Sequence, residues 1–130
     1  MSYEYSIKNI IGVLDTLLGE NGCLWDKKQT SETIVKFLLD EVYELIEAVN
    51  NKDTDNIKEE LGDVLFGILF LVKLAERDKS FSFDDVTNAI CKKMVFRHPH
   101  VFSDAKVENE EDLLAMWDKL KQEERNQKNL

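Results

Sequence analysis

Glu41 and Glu44 stand three residues apart, and so do Glu60 and Asp63. At ~100° per helical residue, such neighbours share one helix face. The midpoints of 41 and 63, and of 44 and 60, both fall on Lys52. An antiparallel helical hairpin turning there sets both pairs at one height, ~12–17 Å from its tip at ~1.5 Å per residue. Glu41 and Glu44 run in a row with Phe37 and Ala48, while Glu60 and Asp63 adjoin Val64, Gly67 and Leu71. The acids thus border the apolar seam. Four carboxylates gathered there repel one another, and a hard divalent cation with oxygen ligands is the natural neutraliser. One acid pair on a helix is more often a solvated face. Two level pairs at an apolar edge are what favour a site. Glu32, Glu47 and Glu59 lack this symmetry and read as solvated.

Di-iron bundles place a Glu-x-x-His unit on their helices. Neither helix here carries histidine; His98 and His100 lie in the later HPH segment, which reads as a structural turn. All-oxygen ligation favours Mg²⁺ or Mn²⁺ over iron or zinc. Mg²⁺ held by carboxylates, with positions left to water and phosphate, suits nucleotide chemistry.

The elements that must position these acids follow from periodicity. Ile7, Ile10, Ile11, Leu14, Leu17 and Leu18 predict a helix near 5–19, ended by Gly19 and Gly22. NGCLWDKKQT reads as a working loop. Within it Trp25 can stack on a base or anchor packing, and Lys27 and Lys28 can steer phosphates or be merely solvated. A helix is expected at about 31–50 and another from a Thr54 or Asp55 cap to Arg77. A fourth is expected at about 83–97, opened by Ser82 and Asp85 and closed by Pro99. HPHVFSD reads as an irregular loop, and Asn109 caps a last helix carrying Trp117 in the core.

No strand pattern competes, so the expected fold is all-α, a helical bundle around the hairpin. Residues 64–74 are apolar nearly all round, with Phe66, Phe70, Leu71 and Leu74 expected on the outer side. A helix apolar on every side must be covered on every side, so a homodimer or higher homo-oligomer is expected to complete the core; burial under the chain's own helices is the alternative. The 130 residues suit a single domain over 1–130, with about 121–130 as a frayed tail.

The net charge of −9 disfavours binding to nucleic-acid polymers. The longest apolar run, VLFGILFLV, is far short of the ~20 residues a bilayer needs, so no membrane association is expected. MSYEYSIKNI lacks a basic start followed by an apolar core, so a cytoplasmic location is expected. Cys23 and Cys91 show no metal spacing and read as reduced and structural.

CLWDKKQT, LLDEVYELIEA, EELGDVLF, KKMVFRHPHVF and Trp117 occur in an order that resembles the MazG-type nucleoside triphosphate pyrophosphohydrolases of the all-α NTP pyrophosphatase superfamily. The resemblance implies Mg²⁺-dependent hydrolysis of a nucleoside triphosphate to nucleoside monophosphate and pyrophosphate, a nucleotide-pool housecleaning role, and a helical dimer. It assigns Glu41, Glu44, Glu60 and Asp63 as catalytic metal ligands. It also implies that Lys93 and Arg97, one helical turn apart, contact substrate phosphates. Four positions depart from the family pattern: Asp40 opens the signature in place of Glu, Leu24 replaces Pro, Ser31 replaces a frequent His, and Phe96 stands where Arg is common. The last reduces the basic cluster to Lys93, Arg97 and Lys92. Two other readings stay open: a non-catalytic helical module that binds a cation, and a hydrolase of another nucleotide phosphate such as ppGpp.

Overall fold

The computed structural model describes residues 4–128. Helices among them are α1 (Ile7–Leu17), α2 (Leu24–Lys27), α3 (Ser31–Asn50), α4 (Thr54–Arg77), α5 (Phe83–Arg97), α6 (Pro99–Phe102) and α7 (Glu110–Lys128), with no strand. The all-α expectation holds. The chain forms two compact units, one through Phe83 and one from Asp84.

In the first unit α3 and α4 make the principal helix pair. Thr30 opens α3 with a reciprocal cap: its Oγ1 accepts from the Thr33 amide at 3.3 Å, and its own amide donates to Thr33 Oγ1 at 2.9 Å. The hairpin turn is tight. Lys52 takes a left-handed φ of 53°, its amide donates to Val49 O at 3.1 Å, and the Asp53 amide donates to Ala48 O at 3.2 Å. These two bonds are a Schellman cap on α3. Asp53 then caps α4 by accepting from the Asn56 amide at 3.2 Å. The cap is Asp53, not the expected Thr54 or Asp55, because a residue serving as both C″ of one helix and N-cap of the next shortens the turn.

The two loops read from sequence each contain one helical turn, α2 and α6. Four-residue turns are too short to leave a periodic signal. Before α2 the chain doubles back on α1, with the Cys23 amide donating to Leu17 O at 2.8 Å. A Cβ at Gly22 would strike the Leu17 carbonyl, so this reversal requires glycine. The last helix runs to Lys128, past the fraying expected near 121, and is capped by Asn109 Oδ1 accepting from the Asp112 amide at 2.8 Å. Both cysteines are free, and Cys91 is exposed rather than structural.

The core joins Leu14 of α1, Ile34 of α3 and Leu69, Phe70 and Leu74 of α4. This corrects the placement of Phe70 and Leu74 on an outer side awaiting a partner subunit: α1 covers them, and Phe66 and Leu71 pack against the same cluster. The apolar surplus lies elsewhere. Val35, Leu39, Ile46 and Val49 of α3 and Leu61 and Ile68 of α4 are each about half exposed. With half-buried Val42, the α3 residues recur at alternating spacings of four and three, the seam period of packed helices.

Lys52 bears a conformation that costs non-glycine residues about 1–2 kcal/mol. Lys52→Gly is therefore expected to raise stability by about 0.5–1 kcal/mol after the loss of glycine's unfolded-state freedom. Urea denaturation checks this, and a lower midpoint contradicts it.

Candidate functional site

The hairpin delivers the expected register. Carboxylate oxygens of Glu41, Glu60 and Asp63 all lie within 4.8 Å of one another. Glu60 is only 7% exposed, the one buried charged residue among those described. Glu41 and Asp63 are half-buried. Glu44 is exposed at the rim, yet its carboxylate reaches Glu60 and its charge acts on Glu41. The structure thus gathers three of the four expected acids tightly and sets the fourth beside them.

Glu41 Oε2 and Glu60 Oε2 are buried with no donor facing them. Among the described residues none of the four acids joins an ion pair. Burial first, then contact with Glu60, then the charges of Asp63 and Glu44 push Glu41 up to about 8. The contact with Glu41 by itself lowers Glu60, but burial and the charges of Glu44 and Asp63 outweigh it, and Glu60 is raised. Two acceptors in contact form a hydrogen bond only if one holds a proton. An all-oxygen set with orphaned buried atoms fits a hard divalent ion, and Glu41, Glu60 and Asp63 are the residues that could hold it.

One helical turn from these acids, Phe37 on α3 and Gly67 on α4 line a small apolar cleft of about 30 Å³ with Trp25, Ile34, Phe66 and Phe70. A Cβ on Gly67 would meet Leu38 Cδ1 at 3.1 Å, so glycine lets α4 approach α3 here. Trp25, on α2, is 55% exposed. Its carbonyl accepts from Gln29 Nε2 at 2.8 Å. Lys27 closes the preceding loop by donating to Glu20 O at 3.0 Å, and Lys28 is exposed at the end of α2.

In the second unit Lys93 and Arg97 line one groove of about 530 Å³, as their spacing predicts. Arg97 is not a bare cation. Its Nε and Nη2 donate to Glu124 Oε1 and Oε2 at 3.2 and 3.1 Å, and its carbonyl accepts from Trp117 Nε1 at 2.8 Å. No sequence signal marks the Arg97–Glu124 pair, whose members are 27 residues apart. His98 donates from Nδ1 to Met94 O at 2.6 Å, and its ring meets those of His100 and Trp117 at 5.6 and 5.8 Å. Both rings thus pack in this turn, where His100 Nδ1 is buried with no hydrogen-bond partner.

Residues 29–102 match the MazG nucleotide pyrophosphohydrolase domain. The chain belongs to this family. It is 46% identical over 109 residues to a nucleoside triphosphate pyrophosphohydrolase of Escherichia coli K12, covering 84% of this chain and 41% of that protein. It is 47% identical over 114 residues to the uncharacterized protein YabN of Bacillus subtilis 168, covering 88% of this chain and 23% of that one. The chain thus spans less than half the length of these relatives. A crystal structure of a MazG-related protein from Thermotoga maritima matches with a TM-score of 0.79 and 27% identity, over 89% of this chain and 99% of that one. The MazG match contains all four acids, Lys93 and Arg97; Trp25, Lys28 and Glu124 lie outside it. No described helix is long and apolar enough to cross a membrane.

The raised acids set the sign of a pH effect. Folded Glu41 keeps its proton up to about 8, whereas the unfolded chain releases it near the ordinary 4.5. Between those values the folded state binds more protons, so stability falls as pH rises. Thermal melts in EDTA are expected to show a melting temperature that drops from pH 5 to pH 8, and a gain on adding Mg²⁺ that is larger at pH 8. A melting temperature that rises across this window contradicts the assignment.

Proposed function

We propose that this MazG-family chain hydrolyses nucleoside triphosphates to nucleoside monophosphate and pyrophosphate in the presence of Mg²⁺, with Mn²⁺ as a substitute. The observation that carries the reading is the three-carboxylate cluster with two buried, unpartnered oxygens on a family scaffold. Glu41, Glu60 and Asp63, with Glu44 at the rim, would hold the ion. Bound there, Mg²⁺ would offset phosphate charge and acidify water. Water attacks the α-phosphorus, the bond from that phosphorus to the oxygen shared with the β-phosphorus breaks, pyrophosphate leaves with that oxygen, and Glu41 takes the water's proton. Lys93 and Arg97 bind phosphate oxygens and Lys28 steers them. Trp25 stacks on the base beside the small apolar cleft that it lines. The work is housecleaning of the nucleotide pool in the cytoplasm, by a single domain over 1–130.

Each NTP is incubated with Mg²⁺, and NMP, pyrophosphate and phosphate are resolved. NMP with pyrophosphate is expected, and Glu60→Gln is expected to lower turnover by about 10²-fold or more with helical content kept. No turnover, with Mg²⁺ only raising the melting temperature, indicates a cation-binding module. Turnover of ppGpp alone indicates a different hydrolase.

The chain is further proposed to be a homodimer. On each hairpin helix the exposed stripe is offset from the seam by a similar rotation in the same sense, which in an antiparallel pair brings both stripes to one face. A second copy laid on that face completes a four-helix core. Sedimentation of the wild type is expected to give a dimer, and Ile46→Glu with Leu39→Glu a monomer. A monomeric wild type at micromolar concentration contradicts this.

A further inference from the structure

We propose that Glu124 is a positioning residue that holds the Arg97 guanidinium for a phosphate anion, an inference that rests on the reading of Arg97 as a phosphate contact. A guanidinium carries five N–H donors in a flat fork. Nε and Nη2 make one edge, and Glu124 occupies it with both carboxylate oxygens. The other edge, Nη1 with the second hydrogen of Nη2, takes no part in the pair and is the edge suited to two phosphate oxygens. The two side chains are 27% and 25% exposed, so the pair is partly shielded from water.

The main chain of Arg97 is held from the same helix. Trp117 donates to its carbonyl, and Trp117 and Glu124 lie seven residues apart, two turns along one face of α7. Thus α7 grips Arg97 at both its backbone and its guanidinium. A long side chain whose rotamer is set before binding has less freedom to lose when the anion arrives.

Charge in the groove favours this role over that of a blocking anion. Arg97 first, with Lys93 and Lys128 adding, holds the Glu124 carboxyl below its usual range. Lys93, Arg97 and Lys128 all line the groove with Glu124. Three cations against one carboxylate leave a positive balance, as a polyphosphate needs.

Glu124→Gln keeps the shape but sets an amide group against the guanidinium. With an NTP and Mg²⁺, its KM is expected to rise about tenfold with kcat within about twofold, the pattern of lost uniform binding. In an Arg97→Lys background the same change is expected to alter KM by less than about twofold, because the fork is already absent. Calorimetry with inorganic tripolyphosphate in EDTA is expected to show the same weakening. That measurement stands even if the wild type turns over no NTP, which overturns the proposed activity and leaves this inference to the calorimetry. Unchanged KM and tripolyphosphate affinity, with only a lower melting temperature, mark a plain helix tie and overturn the positioning role. Tighter binding by Glu124→Gln overturns it too, since Glu124 is then a competitor. A wild type that binds no tripolyphosphate overturns it outright.

Discussion

Like charges brought together at a helix seam are the constraint on which the rest of this structure depends. Closing the α3–α4 hairpin places oxygens of Glu41, Glu60 and Asp63 within 4.8 Å of one another and buries Glu60. Such an arrangement opposes folding unless a proton or a cation enters it. The packing of Phe70 and Leu74 against Leu14 supplies apolar burial of the kind that can hold a strained polar cluster in place. Fold and site are therefore coupled in opposite directions: the core closes the hairpin, and the acids resist until neutralised.

The scaffold suits that task because it leaves the acids little room to separate. The cap at Lys52 and Asp53 joins the two helices through a short turn, and Gly67 permits close approach one turn from Asp63. Side chains on rigid helices keep their mutual geometry better than side chains on loops. In the second unit the same economy recurs by another route, where α7 fastens Arg97 through Glu124 and Trp117. There a basic side chain is immobilised by an opposite charge; in the hairpin acidic ones are crowded by their own kind.

Much of this was legible in the residues, because local rules govern it. The three-residue spacing of the acids, the shared midpoint at Lys52, the limits of α3 and α5, and the end of α4 follow from helical period and capping chemistry. What escaped depends on tertiary context. Asp53 rather than Thr54 capped α4, since the cap serves two helices at once. Phe70 and Leu74 pointed inward because α1 packs on a side of α4 that periodicity cannot orient. The one-turn helices around Trp25 and Pro99 are shorter than any periodic signal. Glu124, remote in sequence from Arg97, became visible only once Arg97, the last residue of α5, met α7.

The central claim is that the Glu41–Glu60–Asp63 cluster trades a proton for a hard divalent cation. Calorimetric titration with Mn²⁺ at pH 7, repeated in buffers of different ionisation enthalpy, measures both binding and the protons released. Saturable binding with release of about one proton per chain is the expected result, because Glu41 enters the titration protonated. Absence of binding, or binding with no proton release, contradicts the account.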